Sequence, residues 1–243
     1  MKIFRLTAAL FFLALPAFSQ GITVAYDIIN RKTAPEAPAL KSVLTDNGPL
    51  SKFFVHIPPE FSKDQPKEGL VKDKRAAVYY TADRLFQTRF DVVDSLHRMR
   101  WQLTGKSQTI LGYPCLSATT TFRGRAYTAY YAPKLAIANG PWKLGGLPGL
   151  ILAAKTDDGF QEWRATNVTL GPVPPLDADL AAVKARKNIN WNTFVAKYKE
   201  VVLRRNKYLR SQGNTPDDTE LKVLIGSLEI FYPELQTGKG LSY

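Results

Sequence analysis

The sequence predicts a mainly β, α+β protein: an antiparallel meander sheet curved into an open or half barrel, with C-terminal amphipathic helices packed on it. Three observations carry this expectation. Apolar and polar residues alternate over most of residues 21–171, the period of half-buried strands. Arg123-Gly124 and Asp157-Asp158-Gly159 supply hairpin turns between such segments. After Gly171-Pro172 and Pro174-Pro175 the apolar spacing becomes helical.

In chain order, Met1-Lys2 and Arg5 precede an apolar stretch from Leu6 to Ala17, and Ala17 and Ser19 are the small residues of a cleavage site. Residues 1–19 therefore predict a secretory signal, too short for a membrane span, with Gln20 as the first mature residue. No cysteine adjoins the cut, so a lipoprotein is not expected, and no later stretch reaches the ~18 apolar residues of a transmembrane helix. Residues 20–243 are then one β-rich domain, with the meander over about 21–171 and helices over about 177–230.

Ile22, Val24, Tyr26 and Ile28 alternate in the first strand, and Phe53, Val55 and Ile57 in the second. Residues 32–50, with three prolines, read as a loop, and the lysine-rich stretch from Pro58 to about Lys74 reads as a connector. Strands follow over Ala76–Ala82, Leu85–Val93, Arg98–Lys106, Tyr113–Phe122, Ala126–Tyr131, Leu150–Thr156 and Phe160–Leu170, giving seven to nine in all. Asp177 is placed to N-cap a short helix reaching about Lys187. A second helix starts near Asn192, with Phe194, Tyr198, Val201, Val202, Tyr208 and Leu209 at helical spacing and Gly213 as its C′ residue. Residues 221–228 fit either a helix or a strand.

With 45% hydrophobic and 22% charged residues, the composition excludes wholesale disorder. The lone Cys115 excludes an internal disulfide, so the core alone must hold an exported fold. The net charge of +12 falls to +10 when Lys2 and Arg5 leave with the signal. Between residues 184 and 210, Lys184, Arg186, Lys187, Lys197, Lys199, Arg204, Arg205, Lys207 and Arg210 face only Glu200. Outside the cytoplasm such a stretch fits anionic lipid, lipopolysaccharide or an outer-membrane protein rather than nucleic acid; it equally fits the solvated face of a helix.

Catalytic signatures are few. His56 and His97 stand in no metal-binding spacing, Ser107 lacks the glycines of a nucleophile elbow, and no glycine-rich phosphate cradle occurs. Cys115 sits in a predicted strand among small and apolar neighbours, as a buried thiol does. No catalytic residue, metal or cofactor is expected. The informative segment is Gly146-Leu147-Pro148-Gly149-Leu150-Ile151, two glycines and a proline leading into the apolar run Leu150–Ala154: a special turn feeding a buried strand.

That segment, with Trp101, Gly112-Tyr113, Cys115, Ala118, Gly124-Arg125, Tyr130-Tyr131 and Gly140-Pro141 in order before it, resembles the GLPGLI family, secreted proteins of Bacteroidota with no assigned chemistry. The resemblance spans residues 100–155 and departs at Tyr130, where the family has Trp, and at Ala136, where it has Pro. It implies export and carries over no catalytic residue. Trp101, Tyr113, Tyr130, Tyr131 and Trp142 are candidates either to pack beneath the glycine-rich loop or to line a ligand site. Arg123 and Arg125 read as exposed turn charges, with Arg125 alternatively reaching a buried carboxylate or an anionic ligand. The functional expectation is a non-enzymatic extracytoplasmic protein that binds a lipid, a peptide or an envelope partner on its curved sheet. The alternative is an envelope hydrolase, which would need a titratable pair in a pocket near the signature loop.

Overall fold

The computed structural model of the protein describes residues 21–30, 36–57, 69–96, 99–212 and 228–229. The expected secretory signal, His97, Gly213 and residues 221–227 lie outside these. The elements are β1 (Gly21–Ile29), β2 (Leu40–Asp46), β3 (Leu50–His56), β4 (Leu70–Asp73), β5 (Val78–Leu85), β6 (Thr88–Ser95), β7 (Gln102–Ile110), β8 (Tyr113–Phe122), β9 (Arg125–Ala132), β10 (Leu150–Thr156), β11 (Glu162–Gly171), α1 (Asp177–Lys184), β12 (Ile189–Asn190) and α2 (Trp191–Ser211).

All twelve strands form one sheet in the order β12-β6-β5-β4-β3-β2-β1-β11-β10-β9-β8-β7, and its two end strands are not paired with each other, so it stays open. Two meanders, β1 to β6 and β7 to β11, are joined where β1 runs antiparallel to β11, from Gly21 opposite Gly171 to Ile29 opposite Glu162. The short β12 adds a parallel pairing to β6, Ile189 opposite Val92. The mainly β class with two helices is as the alternating pattern predicts.

The strands among the described residues exceed the expected seven to nine because β2, β4 and the two-residue β12 were hidden. β2 lies inside the predicted loop of residues 32–50, and β4 inside the predicted connector. Both bury polar side chains: Ser42 and Asp46 in β2, Lys72 and Asp73 in β4. A strand whose buried positions are polar loses the alternation that a hydrophobic pattern detects. β7 starts at Gln102 rather than Arg98, so Trp101 precedes it.

The sheet's inner face carries the main core, with Ile22, Val24 and Tyr26 of β1, Tyr127 of β9, Ile151 and Leu152 near the start of β10, and Trp163 of β11. α2 covers the β5–β6 end of the sheet, seating Phe194, Tyr198, Val201 and Val202 on Leu85, Phe90 and Val92. α1 packs Leu180 and Val183 on Leu50 and Val71. These residues alternate with Leu70 and Tyr79 of the main core, so α1 sits on the opposite, outer face. Asp177 does not cap α1. Leu176 is the N-cap and makes no side-chain cap, while Asp177 and Asp179 lie in the first turn, where their charge favours the helix dipole. Asn190 Oδ1 accepts from Thr193 N at 2.9 Å and so caps the start of α2.

Candidate functional site

The signature segment is built into the core. Gly146 takes a left-handed φ of +87°, which turns the chain without a Cβ penalty. Leu147, Leu150 and Ile151 are buried, whereas Pro148 is exposed. Gly149 is pressed against backbone: a Cβ there would stand 2.4 Å from the Ala132 carbonyl oxygen. Leu150 N donates to Leu135 O at 2.9 Å, and Ile151 N to Asn139 O at 3.0 Å. Tyr26 Oη donates to Ile151 O at 2.7 Å from across the sheet.

A buried polar lock ties the loop of residues 133–149 down to the sheet. Lys72 Nζ donates to Asn139 Oδ1 at 2.7 Å and to Leu144 O at 2.9 Å. Asn139 Nδ2 in turn donates to Asp46 Oδ2 at 2.6 Å and to Ser51 Oγ at 2.9 Å. Asp46 also pairs with Lys74 at 2.5 Å. Burial pulls the Lys72 ammonium down to about 7, helped by Lys74 and opposed by Asp46.

The expected aromatic group divides between the two faces. Trp101 packs under the loop and donates from Nε1 to Gly145 O at 2.9 Å. Tyr131 is buried in the main core, with Tyr113 and Trp142 packed against it. Trp142 takes a left-handed φ of +51° and stacks on Trp163 at 6.0 Å and on Tyr127 at 6.4 Å. Tyr130 alternates with Tyr131; it is partly buried against the main core and also lines an outer-face groove.

That groove, about 570 Å³, lies across β7 and β9–β11 and is lined by Gln108, Thr128, Tyr130, Lys155, Glu162 and Arg164 among others. A second hollow of about 310 Å³ shares Thr128, Tyr130 and Lys155 and adds Lys106, Ser117 and Asp157. The two adjoin at Thr128, Tyr130 and Lys155 as one trough of mixed polar and apolar lining, with Ile110, Leu111 and Ala153 among the apolar residues.

Arg123 and Arg125 correct the expectation of exposed turn charges. Arg125 is 4% exposed, pairs with Asp158 and lies over Phe160. This is the carboxylate-reaching alternative, although Asp158 itself is partly open to solvent. Arg123 pairs with Asp94 Oδ2, which also accepts from Tyr79 Oη at 2.6 Å, and its guanidinium lies 3.2 Å above the Trp191 ring. Next to them Lys143 Nζ pairs with Glu229 Oε2 at 2.7 Å, both buried, and stands 5.0–5.2 Å from the rings of Tyr79, Trp142 and Trp191. Burial pushes Asp83 up, against the pull of Lys143. Sequence reasoning missed Lys143, Glu229 and Asp83, because nothing in their spacing joins residues so far apart.

Cys115 is buried, its thiol donates to Tyr113 O at 3.3 Å, and burial pushes it up. Among the described residues no three His, Cys, Asp or Glu side chains converge as metal ligands. No helix among them is long and apolar enough to cross a membrane. In the basic stretch, Lys184 reaches Asp73 and Arg186 reaches Asp91, both at 3.4 Å. Lys197, Arg204 and Lys207 of α2 are exposed.

Fold and site thus define an open antiparallel sheet that buries a glycine-rich loop and a cation–aromatic cluster on its inner face. No family model matches the chain, and no curated protein matches it. Two solved structures of PNGF-II are similar to it in fold, in C2 and P21 crystals, with TM-scores of 0.51 and 0.53. Sequence identity is 18% in both, over 70% and 72% of this chain. The chain spans 31% and 32% of those chains, about a third of their length.

Proposed function

We propose that the chain is a non-enzymatic protein of the bacterial envelope, a member of the GLPGLI family, that holds an extended peptide of a partner in the outer-face trough. The observation that carries this reading is the trough itself, centred on Tyr130 with Thr128 and Lys155 shared by both hollows. An aromatic platform with a few polar groups is the usual make-up of a recognition groove. The inner face is filled by Trp142, Trp163, Tyr26 and the signature loop, which disfavours an acyl chain as the ligand. Mass spectrometry of what copurifies with the natively secreted protein tests this. Stoichiometric peptide is expected, falling about tenfold in Tyr130→Ala, whose ring is only partly buried. A stoichiometric lipid, or full occupancy in Tyr130→Ala, overturns it.

The exposed basic residues of α2 support a contact with anionic headgroups or lipopolysaccharide. Retention on vesicles containing an anionic phospholipid is expected at low salt and lost at about 0.5 M, where the screening length shrinks to roughly 4 Å. Salt-independent retention, or none at low salt, speaks against it.

One observation favours a hydrolase as the second reading: the buried Lys143–Glu229 pair lies near Asp83 beside the signature loop. Hydrolysis of envelope extracts by the wild type but not by Lys143→Met would establish this reading in place of the first.

A further inference from the structure

The inner-face cluster around Glu229 has the form of a receptor with a resident ligand. Glu229 is 5% exposed, and its Oε2 meets Lys143 Nζ at 2.7 Å. The carbonyl of the preceding Leu228 accepts from Arg125 Nε at 2.9 Å, and the Leu228 side chain packs against the main core. A backbone carbonyl, an apolar side chain and a carboxylate are therefore each held by a different group. Three aromatic rings, Tyr79, Trp142 and Trp191, surround the ammonium that holds the carboxylate.

The fit is incomplete. Glu229 Oε1 has no hydrogen-bond partner among the described residues, and Arg123 Nε stands 3.9 Å away. Tyr127 Oη and Trp163 Nε1, buried in the wall that Trp142 stacks against, also lack partners among the described residues. Burial and then the charge of Glu229 push the Tyr127 hydroxyl up. Buried polar groups that serve the fold alone are normally saturated. Here the cage offers more donors than its occupant engages.

We propose that the cage of Lys143, Arg125 and Trp142 is a recognition site for the glutamate side chain of a peptide, and that Leu228–Glu229 occupies it in cis. The site lies on the face opposite the Tyr130 trough and does not depend on it. In the full chain carrying Glu229→Ala, calorimetric titration uses a blocked synthetic peptide of residues 226–232 and the same peptide with glutamine at the acidic position. The glutamate peptide is expected to bind at least tenfold more tightly than the glutamine peptide. It is also expected to bind at least tenfold more weakly to wild type, where the internal segment competes. Tyr130→Ala leaves this binding unchanged, whereas Lys143→Met in the Glu229→Ala background removes the preference for glutamate. Equal binding of the two peptides, or no binding to a folded variant, overturns the proposal. Glu229→Gln, which keeps the volume of the side chain, provides the same comparison where the alanine variant does not fold.

Discussion

Gly149→Ala is expected to destabilise the protein by about 3 kcal/mol or more, the range of backbone clashes that a core cannot relax. The added methyl would stand 2.4 Å from the Ala132 oxygen and 2.7 Å from its carbonyl carbon. Both belong to the backbone at the end of β9, which is fixed between β8 and β10, so the clash cannot be relieved by a rotamer change. Leu150 and Ile151 would be drawn off Tyr26 and the core with it. Gly159→Ala is the control. It has φ +72° but open space around it, so it should cost about 1 kcal/mol, the ordinary penalty of a left-handed residue. Thermal or urea denaturation of the two variants checks this, and equal midpoint shifts would show that the bend is not seated in the core.

Lys72→Met is expected to change how stability depends on pH. Lys72 binds a proton with a pKa of about 7 when folded and 10.5 in its ordinary state. Between these values the unfolded chain holds more protons than the folded one, so this residue makes stability rise with pH. From pH 7 to 9 the gain is ~2 kcal/mol, close to one proton's worth over two pH units. The methionine variant lacks that rise. It also leaves Leu144 O without this donor and Asn139 Oδ1 with Gly140 N alone, a loss of about 1–3 kcal/mol for a buried acceptor. Its deficit relative to wild type should therefore be larger at pH 9 than at pH 6. Denaturation midpoints measured at both pH values decide the matter, and parallel profiles for the two proteins contradict it.

The parts of the fold that the sequence shows are those written in local chemistry. The β8–β9 and β10–β11 hairpins are legible because Gly124 and Gly159 take the left-handed φ values, +81° and +72°, that their turns demand. The period of two also separates Tyr130 from Tyr131, although the group of aromatics read together does not reveal it. What stays hidden is long-range and polar. Lys72, Asn139 and Asp46 form one hydrogen-bonded lock, yet Lys72 and Asn139 are 67 residues apart and Asn139 and Asp46 are 93 apart. The same lysine and aspartate that build the lock make β4 and β2 look like loops. Glu229 likewise carries no local sign that it ends beneath Trp142.

The suture between the first strand and the eleventh bears on how such a chain acquires its shape. A polypeptide that emerges amino end first can zip β1 to β2 at once, but the other edge of β1 has no match until residues 162–171 arrive. For all that interval an apolar ribbon displays bare amides and carbonyls to its surroundings, an invitation to adhere to neighbours. Closing so large a loop last also favours slow maturation. Chaperones that shield unpaired strands would find their natural client here in the half-emerged amino-terminal meander.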